Sequence, residues 1–469
     1  MNILIVEDDA EFVEEIKSRV NALSREPLYS IASNFEEASN RIESDFFDFI
    51  FLDLKLPTTV GSMDSDPQNG RNLLDIAISI APGTPVFMLT GSSAEQFLPE
   101  MMALSQQIDI WGHGKQLPLI GFHPKHRLDS LDLKIKPYLE AFDAVCEVEL
   151  NSPCEISLST SRLIRIFTAS VGGVFCKIAK ISSGLSDASV FKLEVNDSSG
   201  RRIHDSVAKI GSPSDIQDEV ERHDRFISRL EPNATPRKVA VLTHGAKKTS
   251  GVFYSLATAS DLNGYSFLEK NSSLIIGRLR SCLQRWTDSA IQRRTTVKDI
   301  RRAFIDDDDF QSVAHLISHE WTDRFEANPL HVRWGCVHGD LHGLNILVSE
   351  DAVPVLIDYG DVGEGALSTD PITLELSVFF HPKGPLRDSI WPSENTAKNW
   401  GQSDFIDDQC PSPEFFSKCQ EWAEAVSVGK RERAAVAYGY LVRQLKYDDC
   451  NVPRINALLS GAKKLFDTA

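Results

Sequence analysis

Ile3-Leu4-Ile5-Val6-Glu7-Asp8-Asp9 opens the chain with a short apolar run that ends on three acids. The same figure recurs. Phe47 to Leu52, interrupted by Asp48, closes on Asp53; Pro85 to Leu89 closes on Thr90; and Leu117-Pro118-Leu119-Ile120-Gly121-Phe122-His123-Pro124 closes on Lys125. Short apolar runs bounded by polar residues read as buried strands. Between them, Glu11 to Val20 is amphipathic and Leu73 to Ile80 has helical periodicity. Strands alternating with helices predict an α/β domain, a five-stranded parallel doubly wound sheet covered on both faces. In such sheets the site lies at the carboxyl ends of the strands. Glu7, Asp8, Asp53, Thr90 and Lys125 then share one edge.

That edge suits phosphoryl acceptance. An aspartate can attack phosphorus only if the repulsion between two anions is neutralised, as a divalent cation does. Mg²⁺ prefers hard oxygens and keeps several waters, so carboxylates on one edge fit it. Lys125 would neutralise phosphoryl oxygens, and the Thr90 hydroxyl would donate to one.

The stretches ILIVEDD, FLDLKLP, MLTG and GFHPK resemble the signatures of response-regulator receiver domains, over residues 1–143. The resemblance implies Asp53 as phospho-acceptor, with Glu7 and Asp8 joining it around Mg²⁺. Thr90 is the implied switch hydroxyl, Phe122 the switch aromatic and Lys125 the phosphate-sensing lysine. It also implies a histidine kinase or phosphotransfer protein as partner. Two departures stand out: Pro124 precedes the lysine and His126 follows it, and the loops from Pro57 to Gly70 and from Thr90 to Phe122 are long. These bear on partner choice and output surface, not on the chemistry.

Residues 144–174 are expected to connect this domain to a second, through a helix over Cys154 to Val171 ended by Gly172-Gly173. The second domain, residues 175–469, begins with strands at Val174 to Ser182, Ser189 to Val195 and Ile203 to Ile210. The loop SSGLSD lies between the first two, and Lys209 lies on the third. Small residues let backbone amides approach phosphates, and a desolvated lysine can meet their oxygens. The decisive stretch comes later. Val337-His338-Gly339-Asp340-Leu341-His342-Gly343-Leu344-Asn345-Ile346-Leu347-Val348 is followed by Leu356-Ile357-Asp358-Tyr359-Gly360. Phosphoryl transfer asks for a carboxylate to orient an attacking hydroxyl, and for amide and carboxylate oxygens to hold Mg²⁺.

HGDLHGLN followed by IDYG resembles the aminoglycoside and choline type of phosphotransferases, relatives of protein kinases. The resemblance implies an α+β two-lobed fold, with an N-lobe at about 175–260 and a C-lobe at about 261–469. Asp340 is the implied base, Asn345 and Asp358 bind Mg²⁺, and Asp370 is a structural aspartate. ATP would meet Ser183, Gly184, Ser186 and Lys209, the last partnered by Glu219, with Tyr254 and Leu256 at the adenine hinge. The acceptor would be read by helices within Asn271 to Leu330 and Leu374 to Ala469, and no motif there names it. The acidic run Asp306 to Asp309 is expected to be a solvated loop or helix cap, although it could attract a cationic acceptor. His315 and His319 lack the zincin spacing and read as ordinary helix residues.

Composition narrows the rest. At 469 residues the chain needs two or three domains. A net charge of -18 opposes non-specific nucleic-acid binding, and no basic helix-turn-helix follows the first domain. No run approaches the roughly 20 apolar residues of a membrane span, and the first residues show no signal-peptide pattern. Eight scattered cysteines without a Cys-x-x-Cys pair read as reduced thiols. The expectation is a cytoplasmic protein whose phosphorylation at Asp53 controls an ATP-dependent transfer to a hydroxyl of a small molecule or protein. The alternative is a receiver-controlled nucleotide-binding or scaffold module without turnover.

Overall fold

The computed structural model describes residues 1–24, 26–91, 106–182, 188–230, 235–255, 262–267, 271–317, 320–349 and 351–469. It forms two compact units, Met1–Gln217 with Lys238–Leu256, and Asp218–Arg237 with Ala257–Ala469.

In the first unit, β1 (Asn2–Val6), β2 (Leu28–Ala32), β3 (Phe49–Asp53), β4 (Val86–Thr90) and β7 (Ile120–Pro124) make a parallel sheet in the order β2-β1-β3-β4-β7. A small antiparallel pair, β5 (Gln107–Ile108) and β6 (Leu117–Pro118), precedes β7. Successive side chains on a strand point to opposite faces, and both faces are covered. Ile3, Ile5, Phe49, Phe51, Phe87 and Leu89 pack with α1 (Ala10–Leu23) and α4 (Leu131–Cys146). Leu4, Val6, Ile50, Leu52, Val86 and Met88 pack with α2 (Phe35–Ser44) and α3 (Pro67–Ile80). Burial on both sides explains why these strands are apolar throughout instead of alternating. This is the five-stranded parallel doubly wound sheet that the alternation of runs predicts.

The same unit holds a second sheet, in the order β12-β13-β11-β10-β9-β8. Its strands are β8 (Glu149–Asn151), β9 (Phe175–Ser182), β10 (Ser189–Asn196), β11 (Arg202–Gly211), β12 (Arg237–Leu242) and β13 (Ser250–Ser255). Residues 144–174, expected as a connector, therefore contribute a strand, since β8 pairs in parallel with β9. The expected helix starts later than Cys154. It is α5 (Leu158–Ser170), because the Ser157 hydroxyl accepts the Thr160 N–H at 3.1 Å and caps it.

One face of α5 belongs to the receiver-side core through Ile166, and the other belongs to the second sheet through Leu163, Ile164 and Phe167. Gly112 marks the close approach. It has φ 76°, and a Cβ there would come within 2.5 Å of the Ile166 carbonyl oxygen. Beside it, Arg162 Nη2 meets Asp48 Oδ1 at 2.9 Å, and the Asn2 N–H donates to Asp48 Oδ2 at 2.8 Å. The guanidinium also lies 4.5 Å from the Phe142 ring centroid.

The second unit is largely helical, built around β16 (Pro329–Val337), which lies between β15 (Ile291–Thr296) and β19 (Gly363–Ala366). Residues 271–330, expected as helices, thus include a strand. Ile291 to Thr296 pairs along its length with Trp334 to Pro329, which its β-branched ends favour. β17 (Ile346–Val348) and β18 (Pro354–Leu356) form a short antiparallel pair, with β14 (Leu262–Asn263) beside β17. The helices α7 (Ser272–Cys282), α8 (Thr369–Phe380), α9 (Pro413–Val426), α10 (Lys430–Gln444) and α11 (Val452–Asp467) share one core with these strands. Asp306 caps the helix Asp307–Val313 by accepting the Asp309 N–H at 2.7 Å. His315 falls in a one-turn 3₁₀ helix and not an α-helix. Residue 319 lies outside the described residues. No described helix is long and apolar enough to cross a membrane.

Arg162 and Asp48 are both buried. Burial raises the Asp48 pKa, and Arg162 pulls it back. Removing one member of a buried pair strands the other. Arg162→Ala is therefore expected to destabilise the first unit by about 3–5 kcal/mol, seen as an earlier denaturant transition. Replacing both residues, as in Asp48→Leu with Arg162→Met, should recover most of that loss. A single-variant loss under about 1 kcal/mol, the range of an exposed pair, would contradict this account.

Candidate functional site

Two groups of polar side chains stand out, one in each unit. In the first, β1 and β3 are hydrogen-bonded neighbours, and both end at the same edge of the sheet. One oxygen each from Glu7, Asp8 and Asp53 lies within 4.8 Å of the others. The third acid of the opening run, Asp9, serves instead as the N-cap of α1, accepting from Glu11 N and Phe12 N. Lys125, just past β7, places Nζ 2.8 Å from Asp53 Oδ2 and 2.9 Å from Glu7 Oε1. Thr90 ends β4, the strand between β3 and β7, and is buried; Phe122 on β7 is half-buried. The structure thus brings Glu7, Asp8, Asp53 and Lys125 into contact range and sets Thr90 and Phe122 on the adjoining strands.

The electrostatics follow from burial. Glu7 and Asp53 are buried while Asp8 is exposed. Glu7 is pushed up to about 7, by burial first and the Asp53 charge second, with Lys125 pulling the other way. Asp53 is also raised, chiefly by burial, against the pull of Lys125. Burial lowers the Lys125 pKa, but its two carboxylate neighbours outweigh this and raise it. Three hard carboxylate oxygens at this spacing fit Mg²⁺.

In the second unit, β16 delivers the chain into the loop at His338. The buried Asp370 carboxylate, at the start of α8, accepts the His338 N–H at 3.0 Å and the Gly339 N–H at 3.1 Å. Gly339 has φ 83°, and a Cβ there would meet the Asp361 carbonyl oxygen at 2.4 Å, so the turn requires glycine. Asp340 follows directly. Asn345 Nδ2 donates to the Asp340 carbonyl at 2.9 Å, tying the far end of the loop back to its start. β17 and β18 pair Ile346 with Leu356, and Ile357 N donates to the Asn345 carbonyl at 3.0 Å. The antiparallel pairing closes the sequence gap, so Asn345 and Asp358 lie at the same end of this small sheet. Asp358 itself has φ 62°. An amide oxygen and a carboxylate brought to one end fit Mg²⁺ by donor type.

Lys209 and Tyr254 are buried on β11 and β13 of the first unit. Val252 is the register partner of Lys209, and Val207 that of Tyr254. Glu219 is buried in the second unit, on α6 (Pro213–Arg225). Ser183, Gly184, Ser186 and Leu256 lie outside the described residues.

Several further groups lie around Asp340. His342 Nε2 is 3.7 Å from Asp340 Oδ2, and its ring lies 4.5 Å from that of His381 at the end of α8. Burial lowers His342; burial and then the His342 ring push His381 down to about 4. Both shifts favour the neutral ring. Arg443, on α10, places Nη1 3.6 Å from Asp340 Oδ1 and Nη2 3.7 Å from Asp361 Oδ2. His342 was visible inside the quoted motif, whereas Arg443 sits in a helix, and His381 directly after one, whose patterns speak only of packing.

A cation entering the first group must displace any proton held by Glu7, whose raised pKa sets the window. Mg²⁺ affinity is expected to be full above about pH 7 and to fall by up to about tenfold per pH unit below it. Calorimetric Mg²⁺ titrations at about pH 6 and about pH 8 would read this, and Glu7→Gln should flatten the difference. Equal affinity at both pH values in the unsubstituted protein would contradict it.

Residues 275–390 match the family described as Phosphotransferase enzyme family. No curated protein matches the chain. Among solved structures, a response regulator receiver domain protein (CheY-like) from Methanospirillum hungatei JF-1 is 24% identical, over 30% of this chain and 95% of that one, with a TM-score of 0.23. An aminoglycoside-3'-phosphotransferase of type VIII is 13% identical, over 58% of this chain and 94% of that one, with a TM-score of 0.35. Plasmodium vivax ethanolamine kinase is 11% identical, over 62% and 83%, also with a TM-score of 0.35. The chain thus joins a five-stranded parallel α/β domain to a second domain whose residues 275–390 match the Phosphotransferase enzyme family.

Proposed function

We propose that this protein is a phosphorelay-controlled phosphotransferase. What supports the enzymatic half is the loop geometry: the Asn345 amide bonds the Asp340 carbonyl, the β17–β18 pairing sets Asn345 and Asp358 at one end of a small sheet, and Asp370 clamps the loop's start. In the reaction, an acceptor hydroxyl oxygen attacks the γ-phosphorus of ATP as its bond to the β–γ bridging oxygen breaks. The hydroxyl proton passes to the Asp340 carboxylate and ADP departs. Bound Mg²⁺, held through Asn345 and Asp358, would neutralise charge on the phosphates. Lys209 is the residue proposed to meet the α/β-phosphates, with Glu219 as its partner. Ser183, Gly184 and Ser186 would approach the phosphates, and Tyr254 and Leu256 the adenine.

The regulatory half rests on the edge formed by Glu7, Asp8, Asp53 and Lys125. Asp53 would attack a phosphohistidine of a histidine kinase or phosphotransfer protein; the P–N bond breaks and the histidine takes a proton. Lys125, released from Asp53, would then meet the phosphoryl oxygens, with Thr90 and Phe122 completing the switch. The packing of α5 supports a route from there to nucleotide. Trp111 and Ile166 share the receiver-side core, while Phe167, next along α5, stacks on Phe253 with ring centroids 4.2 Å apart. Phe253 lies between Val252, the register partner of Lys209, and Tyr254. A shift of α5 would therefore be felt at the strand that carries the proposed ATP-binding lysine.

Purified protein with Mg²⁺-ATP should turn over γ-phosphate, and Asp340→Ala should lower the rate by about 10²–10⁴-fold. Phosphorylation of Asp53 by a small phosphodonor should change that rate, and Phe167→Ala should blunt the change. ATP binding without Asp340-dependent turnover, whether or not Asp53 is phosphorylated, would leave a nucleotide-binding scaffold and defeat the enzymatic reading.

A further inference from the structure

The charge around Asp340 has a consequence for the acceptor. An ammonium group arriving at the loop of Asp340 would have to share its carboxylates with a guanidinium already in place. Asp340 and Asp361 flank the same Arg443 guanidinium, at 3.6 Å and 3.7 Å. Asp370 is spent on the backbone of His338 and Gly339. Three of the four acids in the run that could have drawn a cation are likewise occupied, and the fourth, Asp308, is exposed. Asp306 caps its helix, Asp307 pairs with Arg301 at 2.8 Å and with Arg302, and Asp309 pairs with Lys446. Lys446 lies three residues beyond Arg443, so this run is tied down close to the same end of α10.

Arg443 is in a different position. It is set on a helix and not on a loop, and its side chain keeps 20% of its surface exposed beside the catalytic carboxylate. Its two ion pairs are too long to be hydrogen bonds, which leaves guanidinium donors available to a ligand oxygen. Burial lowers its pKa, but the Asp340 charge and further neighbours outweigh this and hold it above the ordinary arginine range. It is a fixed positive charge at every working pH. Burial lowers the pKa values of the neighbouring His342 and His381 rings, which disfavours further positive charge beside it.

We infer that Arg443 is a specificity-determining residue that meets the acceptor, and that the acceptor is a hydroxyl compound carrying a carboxylate or phosphate near the reacting hydroxyl. The inference rests on Asp340 being the base of the proposed transfer. Guanidinium pairs two-pronged with either anion, which would hold the acceptor by a group that does not react and present its hydroxyl to Asp340. A cationic acceptor would meet like charge at the same place.

The experiment compares small acceptors of matched size: glycerate and glycerol 3-phosphate as anions, glycerol as neutral, and ethanolamine as cation. Transfer of the labelled γ-phosphoryl of ATP is followed, with the Asp340→Ala protein as blank. Asp340-dependent ATP hydrolysis without any acceptor is measured first. Its absence overturns the proposed transfer, and this inference with it. Given that activity, at least one anion should exceed ethanolamine by about tenfold or more in kcat/KM, mostly through a lower KM. Arg443→Glu should reverse the order, and Arg443→Lys should restore part of it. The ratio of kcat/KM between acceptors is the readout, because a structural loss would lower all of them together and leave it unchanged; thermal unfolding checks that each variant is folded. Persisting hydrolysis with no transfer to either anion, a preference for ethanolamine, or an unchanged ratio in Arg443→Glu would each overturn the inference while leaving the enzymatic reading in place.

Discussion

Carboxylates repel one another, and this protein gathers them twice. Two unit charges 4 Å apart near a protein surface oppose each other by about 4 kcal/mol, and burial adds a desolvation penalty. Each unit meets this constraint differently. At the sheet edge of the first, one ammonium contacts both buried acids, Glu7 and Asp53, and the third, Asp8, stays exposed to water. In the second, the fully buried Asp370 is held by two backbone N–H groups, and Asp340 by a guanidinium and its loop. A cation that arrives at the first group competes with Lys125 and with the proton on Glu7. In the second the loop is held by hydrogen bonds already in place.

The position of α5 makes the two sheets of the first unit mechanically continuous. A tethered receiver would signal by docking and undocking, through an exposed and mostly polar interface. Here Ile166 and Phe167 are adjacent residues buried in different cores, so α5 cannot rotate or slide without repacking both. Packed interiors respond to such movement in discrete steps and not by smooth deformation. The buried Arg162–Asp48 pair on the same helix adds directional restraint, since a guanidinium displaced from its carboxylate would leave both charges without water.

Much of this was legible in the sequence because strand ends and loop motifs concentrate chemistry in few residues. The acids and the lysine of the first edge could be placed from four apolar runs, because a parallel sheet leaves only one edge for strand-end side chains. HGDLHGLN and IDYG could be paired because together they resemble the motif pair of aminoglycoside and choline type phosphotransferases. What stayed hidden was everything set by packing between distant segments. Glu149 to Asn151 reads as a linker, and only the free edge of β9 makes it a strand. Ile291 to Thr296 lies among helices and becomes a strand because β16 offers it a partner. Arg443 has the local pattern of any amphipathic helix, and its relation to Asp340 exists only in three dimensions.

That relation is nonetheless tightly determined, because α10 is fixed at several turns before Arg443 is reached. Near its start, Glu432 accepts the Arg333 N–H of β16 at 2.9 Å and the Ser368 hydroxyl at 2.9 Å. Farther along, the Tyr438 hydroxyl donates to Glu326 at 3.0 Å, and Arg301 holds the same carboxylate. β16 is the strand that runs into the loop of Asp340, and Ser368 lies two residues before the Asp370 clamp. The helix that carries Arg443 and the loop that carries Asp340 are thus referenced to the same strand and the same helix start. Groups mounted on rigid elements with locked supports keep their spacing better than groups on loops. A guanidinium held at 3.6 Å by such a frame is a constant of the site, and any ligand that reaches Asp340 has to be compatible with it.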